Sequence, residues 1–241
     1  MSDDQTRTVI VALPEGTRAD WLRIAQILTW LKLPAHVPVT VFPVRRSGLL
    51  GWISRWLTRH LLDAVRSHGT VTHAAGGRIS RLDLTGLATS ARLNATARWW
   101  TWNRDIASRT PAARTWEQML ADNDQQDPKK RISRDELRKQ FDTQPRILAM
   151  LAYNSYPAAP YQWDLDDLAA LQAGEAVYVA LHWQHALTGD AVVTPEGTLI
   201  EPASPSLADR LRYLAEATRV IHQLSPAQHL VAVKAAPAPT L

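Results

Sequence analysis

Histidines carry the most recognisable chemical potential in this sequence. His182 and His185 are three residues apart, a spacing at which two side chains project from one face of a helix and can share a metal ion. Glu175, His222 and His229 are candidates for a third ligand only if the fold brings them close. Because a catalytic metal site needs at least three protein ligands, His182 and His185 are weak metal candidates, and we predict neither a metal site nor a cofactor.

Other residues have side chains suited to phosphodiester chemistry. His60, His68 and His73 are candidates for acid–base cleavage of RNA, and Tyr153 and Tyr156 for attack on a phosphodiester. The sequence contains no glycine-rich loop followed by Lys-Ser or Lys-Thr, no G-x-S-x-G elbow and no H-E-x-x-H motif. It therefore identifies no reaction, and an enzyme acting on nucleic acid or another anionic substrate is the alternative prediction.

The positive charge is concentrated in residues 45–114. This stretch contains twelve arginines against three aspartates, whereas the whole chain carries a net charge of only +4. A local excess of this kind attracts anions over about one Debye length, roughly 8–10 Å. The main prediction is a non-enzymatic binding or assembly subunit that contacts nucleic acid or an acidic protein partner within a larger complex. The candidate contact residues are Arg55, Arg59, Arg66, Arg92, Arg98, Trp100 and Arg104.

Tryptophans are interleaved with these arginines. Residues 98–102 read Arg-Trp-Trp-Thr-Trp, which offers guanidinium groups for phosphates and flat rings for base stacking within about one helical turn. Most of the tryptophans fall on apolar stripes and are expected in the core. Trp100 lies on a different side of its predicted helix, so we expect it to be exposed.

Two further kinds of partner stay open on the sequence alone. Residues 49–66 form a predicted amphipathic helix with Trp52 and Trp56 beside its arginines, an arrangement typical of helices on anionic membranes, so a peripheral membrane protein is a second alternative. Residues 115–241 contain eleven basic and sixteen acidic side chains. Docking of the arginine surface on this acidic half of another copy would form a homo-oligomer.

The composition excludes several classes of protein. None of the 241 residues is a cysteine, which rules out disulfides, thiol catalysis and thiolate metal sites and fits a reducing compartment. The polar residues 1–6 are not followed by the apolar core of a signal peptide, and no run approaches the roughly 18 apolar residues of a membrane span. We expect a cytoplasmic, globular chain with a disordered tail at 235–241.

The elements that must position these residues begin with a strand, a helix and a strand, a sequence that suits a parallel unit with a helical crossover. Helices then dominate the prediction, and a polar run at 122–132 is the expected linker between a basic region, 1–121, and a mainly helical region, 133–234. The fold class is therefore α+β and helix-rich, with a small N-terminal sheet and a β-hairpin in the second half. The predicted strands are Thr8–Leu13, Val37–Val44, Arg78–Leu84 and the hairpin of 192–194 with 198–200. The predicted helices are Ala19–Lys32, Leu49–Arg66, 86–108, a short segment with Trp116 and Leu120, a segment from Ser133 to Phe141, Arg146–Asn154, one that begins near Asp164, and Leu207–Leu224. Whether the helix from Asp164 continues through His185 is open on the sequence alone.

Overall fold

A computed structural model describes residues 6–17, 19–33, 35–45 and 60–236 of the chain. It confirms a helix-rich α+β fold with a small sheet that begins at the N-terminus. The chain divides into two compact units, the first formed by residues 1–91 together with 183–241 and the second by residues 92–182. In the described part of the chain, no helix is long and apolar enough to cross a membrane.

The described residues form ten strands and eight α-helices. The strands are β1 (Arg7–Leu13), β2 (Ala35–Pro38), β3 (Phe42–Pro43), β4 (Leu61–Leu62), β5 (Val65–Ser67), β6 (Thr70–Ala74), β7 (Gly76–Arg78), β8 (Ala191–Val193), β9 (Leu199–Ile200) and β10 (His229–Ala236). The helices are α1 (Trp21–Trp30), α2 (Leu84–Asp105), α3 (Trp116–Asp124), α4 (Arg134–Asp142), α5 (Pro145–Asn154), α6 (Leu168–Ala173), α7 (Glu175–Thr188) and α8 (Leu207–Gln223).

The main sheet of the first unit is built around β1 and β10. Its strand order is β4-β7-β10-β1-β8-β9, and β2 also pairs with β10. Strands β1 and β10 are antiparallel over seven residue pairs, from Arg7 opposite Ala235 to Leu13 opposite His229, while β8 is parallel to β1. The two ends of the chain therefore belong to one sheet, although the sequence assigns them to different regions.

Helix α1 covers one face of this sheet. Asp20 caps the helix by accepting a hydrogen bond from the Arg23 backbone N–H at 2.8 Å. Ile24 and Leu28, one turn apart, are fully buried in a cluster with alternate residues of the central strands. Those strand residues are Val9, Val11, Leu13, Val231, Val233 and Ala235.

The predicted strand-helix-strand unit is present but differs in detail. Strands β1 and β2 both run antiparallel to β10 and are therefore parallel to each other, with β10 inserted between them. The single strand predicted at Val37–Val44 is wrong, because β2 ends at Pro38 and β3 pairs with β6 in a separate three-stranded sheet of order β3-β6-β5. Pro38 and Pro43 lack the N–H that a continuous central strand needs.

Two predictions between residues 60 and 84 are wrong. Of the helix predicted at Leu49–Arg66, residues 49–59 lie outside the described residues, and the remainder forms β4 and the start of β5. Asp63 and His68 have left-handed backbone conformations, with φ of 45° and 49°, which a helix does not accommodate. The strand predicted at Arg78–Leu84 is also wrong, because Arg78 ends β7 and Ile79–Arg81 form a short 3₁₀ helix.

The helical predictions for the second half are largely confirmed. Ser133 caps α4 through the Glu136 N–H, and Pro145 occupies the first turn of α5. The helix expected from Asp164 is divided into a 3₁₀ turn, α6 and α7, and Gly174, with a φ of 113°, separates α6 from α7. The hairpin of β8 and β9 is confirmed, whereas residues 235 and 236 of the predicted tail form the end of β10.

Candidate functional site

A cavity of about 620 Å³ in the first unit gathers two histidines, an arginine and the turn that follows β1. We call it the histidine cavity. Three of its lining residues, on neighbouring strands, are His60, Arg78 and His229, which we call the His–Arg–His row. The lining residues are Glu15, Gly16, Thr17, Ala19, His60, Leu61, Leu62, Arg78, Ala227 and His229.

Strand register places the three residues of the row side by side. His229 of β10 is directly opposite Arg78 of β7. On the other side of β7, Leu61 of β4 is opposite Gly77, so His60, one residue earlier, falls next to Arg78. Because opposed residues of an antiparallel ladder project from the same face of a sheet, the three side chains line one surface.

Two glycines allow the strands of the row to approach closely. A Cβ atom on Gly77 would lie 2.7 Å from the His60 carbonyl oxygen, and one on Gly76 would overlap the Leu230 carbonyl oxygen. Any larger residue would push β4 or β10 away from β7. The glycine pair therefore helps to hold His60 and His229 on either side of Arg78.

The rim of the cavity is the connection from β1 to α1. The Thr17 N–H donates to the Pro14 carbonyl oxygen at 3.1 Å, which closes a turn at the carboxyl end of β1, and Gly16 has a φ of 76°. The Glu15 side chain accepts a 3.3 Å hydrogen bond from the Ser225 hydroxyl. The turn thus places the carboxylate of Glu15 in the lining of the cavity.

Buried polar atoms in the row lack partners among the described residues. His229 is only 7% exposed, and neither its Nδ1 nor the Nε of Arg78 has a hydrogen-bond partner there. Burial lowers the pKa of His229, and the positive charges of Arg78 and His60 lower it further. A buried polar group without a partner costs about 1–3 kcal/mol, which a bound acceptor would relieve.

The row combines anion recognition with acid–base chemistry. A guanidinium group matches the oxygens of phosphate, and a histidine on each side offers a hydrogen-bond donor or a proton acceptor. No family model, curated protein or solved structure matches this chain. Its function is therefore inferred from the geometry of its own residues.

The predicted contact arginines of α2 do not share one face of that helix. At 100° per residue, Arg92, Arg98 and Arg104 are separated by about 120° around the axis. Of the other predicted contacts, Arg66 is an exposed residue of β5, whereas Arg55 and Arg59 lie outside the described residues. The described arginines thus do not form one continuous patch on α2.

Arg98 has a structural role within the second unit. Its Nη2 donates to the Gln162 carbonyl oxygen at 2.8 Å, and its guanidinium carbon lies 5.8 Å and 5.6 Å from the ring centres of Tyr161 and Trp163. These contacts connect α2 to the segment that precedes α6. The guanidinium is therefore already engaged by the protein.

Arg104 and Trp100 differ from Arg98 in their exposure. Arg104 donates two hydrogen bonds to the Asp105 carboxylate, at 2.8 and 2.9 Å, so its charge is compensated locally. Trp100 is 56% exposed, as the sequence predicts, and Leu93, on the same side of α2, is 67% exposed. Leu93 and Trp100 are therefore an exposed apolar pair on one side of the helix, and Trp100 lies one turn before Arg104.

His182 and His185, the two weak metal candidates, contact different carboxylates. His182 Nε2 lies 3.1 Å from Asp167 Oδ2, and His185 Nε2 lies 2.8 Å from Asp190 Oδ1. Asp190 also accepts the Thr8 N–H at 2.7 Å, so this pair connects the end of α7 to β1. Within the described residues, no group of three or more histidine, aspartate or glutamate side chains has an arrangement that could hold a metal ion.

The sequence alone does not predict Arg78 as a lining residue of this cavity, and it indicates His229 only as a possible third metal ligand. It predicts His60 as a candidate for RNA cleavage together with His68 and His73, which are near in the chain and do not line the cavity. The Gly76-Gly77 pair next to Arg78 was a usable signal, because adjacent glycines in a strand mark a close backbone approach.

Proposed function

We propose that this protein binds nucleic acid and that the His–Arg–His row holds a backbone phosphate in the histidine cavity. The observation that carries the proposal is the alignment of His60, Arg78 and His229 in one row, with buried nitrogens of Arg78 and His229 that lack partners among the described residues. Phosphate oxygens accept hydrogen bonds from such donors, and charge-assisted bonds of this kind are the stronger ones.

The charge of the surrounding sequence supports a polyanionic ligand. Arg78 belongs to the stretch 45–114, which contains twelve arginines and only three aspartates. The lining of the cavity contains one carboxylate, Glu15, against Arg78 and two histidines. A field of this sign attracts nucleic acid before contact, and the affinity then decreases steeply as the salt concentration rises.

The decisive experiment compares two arginines of the first unit. Fluorescence anisotropy measures the affinity for a labelled single-stranded oligonucleotide at low and physiological salt. Arg78→Gln is expected to weaken binding by about 10- to 100-fold, because it removes a charged hydrogen-bond donor from a partly buried site. The matched control Arg66→Gln removes the same charge from exposed strand β5 and is expected to weaken binding less than about fivefold.

A third variant tests the sign of the electrostatic effect. Glu15→Gln removes the carboxylate at the rim of the cavity and is expected to strengthen binding. Circular dichroism checks that each variant is folded. No binding of the wild type at low salt, or equal losses for Arg78→Gln and Arg66→Gln, would contradict the proposed site.

A protein partner is the second candidate, favoured by one side of α2. Leu93 and Trp100 are 67% and 56% exposed, and they are seven residues apart and so lie on one face of the helix. Under this alternative, Trp100→Ala disrupts an assembly but leaves the affinity for the oligonucleotide unchanged. A loss of oligonucleotide affinity in Trp100→Ala would instead place the tryptophan in the nucleic-acid site.

A further inference from the structure

The two histidines of the row are placed on opposite sides of the position proposed for a phosphate. Neighbouring strands lie about 4.8 Å apart, so the Cα atoms of His60 and His229, two strands apart, are separated by roughly 9–10 Å with Arg78 between them. A phosphate held by Arg78 would therefore have one imidazole on each side. In-line displacement at phosphorus needs a proton acceptor on the attacking side and a proton donor on the leaving side.

Building on the proposed phosphate site, we propose that the histidine cavity cleaves RNA by transesterification, with His229 as the general base and His60 as the general acid. His229 takes the proton from a ribose 2′-hydroxyl, and the 2′-oxygen forms a bond to phosphorus. The bond from phosphorus to the 5′-oxygen breaks, and protonated His60 gives its proton to that oxygen. The products are a 2′,3′-cyclic phosphate and a 5′-hydroxyl end, with no other reactant.

The different environments of the two histidines assign their roles. His229 is 7% exposed, and burial, followed by the charges of Arg78 and His60, lowers its pKa, so it is neutral and able to accept a proton near pH 7. His60 precedes edge strand β4 and is only partly buried, so its imidazole can exchange its proton with water. Two titratable groups whose environments differ in this way are suited to act as a base and an acid.

Arg78 contributes to the reaction by stabilising charge. The pentacovalent transition state carries more negative charge on its non-bridging oxygens than the starting diester, and a guanidinium fixed by strand register is already in place to bind them. The carboxylate of Glu15 is directed to the Ser225 hydroxyl at the rim. Glu15 has no assigned step in the reaction.

The dependence on a 2′-hydroxyl distinguishes this inference from binding alone. The test incubates the full-length protein, in EDTA, with a labelled RNA and with a matched oligonucleotide that has a single 2′-deoxyribose. The inference predicts that the RNA is cut to 2′,3′-cyclic phosphate ends, that no cut occurs after the deoxyribose, and that the rate against pH is bell-shaped.

Three histidine variants complete the experiment. His229→Gln and His60→Gln are each expected to reduce the cleavage rate by about 100-fold or more, while preserving measurable oligonucleotide binding. His222→Gln, an exposed histidine of α8 in the same unit that does not line the cavity, is the control and is expected to cleave at the wild-type rate. Because His229 is buried, circular dichroism checks whether its variant is folded. If it is not, the cleavage rate of His60→Gln tests the nuclease inference.

The outcomes separate the two proposals. Binding of RNA without cleavage, cleavage that also occurs after deoxyribose, or equal cleavage by His60→Gln and wild type would overturn the nuclease inference and leave the binding proposal standing. Absence of oligonucleotide binding at low salt would overturn the proposed function itself.

Discussion

His229 and Arg78 are directly opposite each other on antiparallel strands β10 and β7, and the Nδ1 and Nε atoms of these two side chains are buried without hydrogen-bond partners among the described residues. This cross-strand pair places an imidazole, which loses its proton near neutral pH, beside a guanidinium, which stays positively charged. The pair makes the cavity attractive to an anion and keeps the imidazole neutral in the absence of one.

The first prediction concerns the pH dependence of stability. Burial, Arg78 and His60 lower the pKa of His229 in the folded protein below the value of about 6.5 expected in the unfolded chain. Below that pH the unfolded state binds more protons than the folded state. The free energy of unfolding should therefore decrease as the pH falls, by at most about 1.4 kcal/mol per pH unit for this group.

Urea denaturation between pH 7.5 and 5, in a buffer without phosphate, measures this effect. The wild type should lose more stability on acidification than His229→Gln, and the control His73→Gln should behave like the wild type. If the difference between wild type and His229→Gln is constant over this range, His229 does not titrate as the structure indicates.

The glycine pair provides the second prediction. In Gly77→Ala the new Cβ would lie 2.7 Å from the His60 carbonyl oxygen, so β4 must move away from β7. We expect a loss of about 1–3 kcal/mol in the free energy of unfolding and a weaker affinity for oligonucleotides, because His60 is displaced from the row.

A second glycine serves as the control for this variant. Gly197→Ala introduces strain at a φ of 86° but meets no atom within 4 Å, so it should lower stability by about 1–2 kcal/mol and leave the affinity unchanged. Equal affinities for Gly77→Ala and the wild type would show that the position of His60 does not matter for binding.

The third prediction separates structural arginines from surface arginines on α2. Arg98→Lys removes the planar group that donates to Gln162 and packs over Tyr161 and Trp163, so the free energy of unfolding should decrease by about 1–3 kcal/mol. Arg104→Lys keeps the charge beside Asp105 at an exposed position and should have little effect. Urea denaturation compares the two, and equal stabilities would remove the structural role assigned to Arg98.

The fourth prediction concerns a buried arginine in the second unit. Arg146 is 7% exposed and donates to the Thr110 and Ala107 carbonyl oxygens, the Thr110 hydroxyl and the Gln172 side chain, with its guanidinium carbon 5.3 Å from the centre of the Trp102 ring. Desolvation lowers its pKa. Arg146→Met leaves these acceptors without their donor and should cost about 3 kcal/mol or more.

Thermal and urea denaturation of Arg146→Met test this role. The control Lys139→Met, at an exposed position of α4, should retain the stability of the wild type. A loss of stability in the control as large as that in Arg146→Met would point to a general effect of replacing a cation with methionine.

The elements that the sequence predicted well are those governed by local chemistry. Strand β1 and the helices α1, α4 and α5 each depend on a few adjacent residues: an apolar run in β1, and Asp20, Ser133 and Pro145 at the starts of the helices. The exposure of Trp100 was predicted for the same reason, since helical periodicity alone places it away from the main apolar stripe.

The elements that the sequence predicted poorly depend on pairing between distant residues. Residues 61–67 have helix-like apolar spacing, but their backbone groups pair with β7 and β6, and left-handed residues at 63 and 68 separate the strands. Arg78 and His229 meet only because β10 lies between β1 and β7. The pairing of β7 with β10 is not encoded in any short window of residues, so the sequence alone does not predict that Arg78 and His229 are neighbours.

The most direct test of the phosphate site is an NMR titration of the His229 imidazole with pH, recorded with and without a saturating deoxydinucleotide and assigned with His229→Gln. A phosphodiester bound in the row should raise the pKa of His229, because an adjacent anion favours the imidazolium form. The effect should be lost in Arg78→Gln. Imidazole signals and a pKa that do not change when the dinucleotide is added would contradict the account.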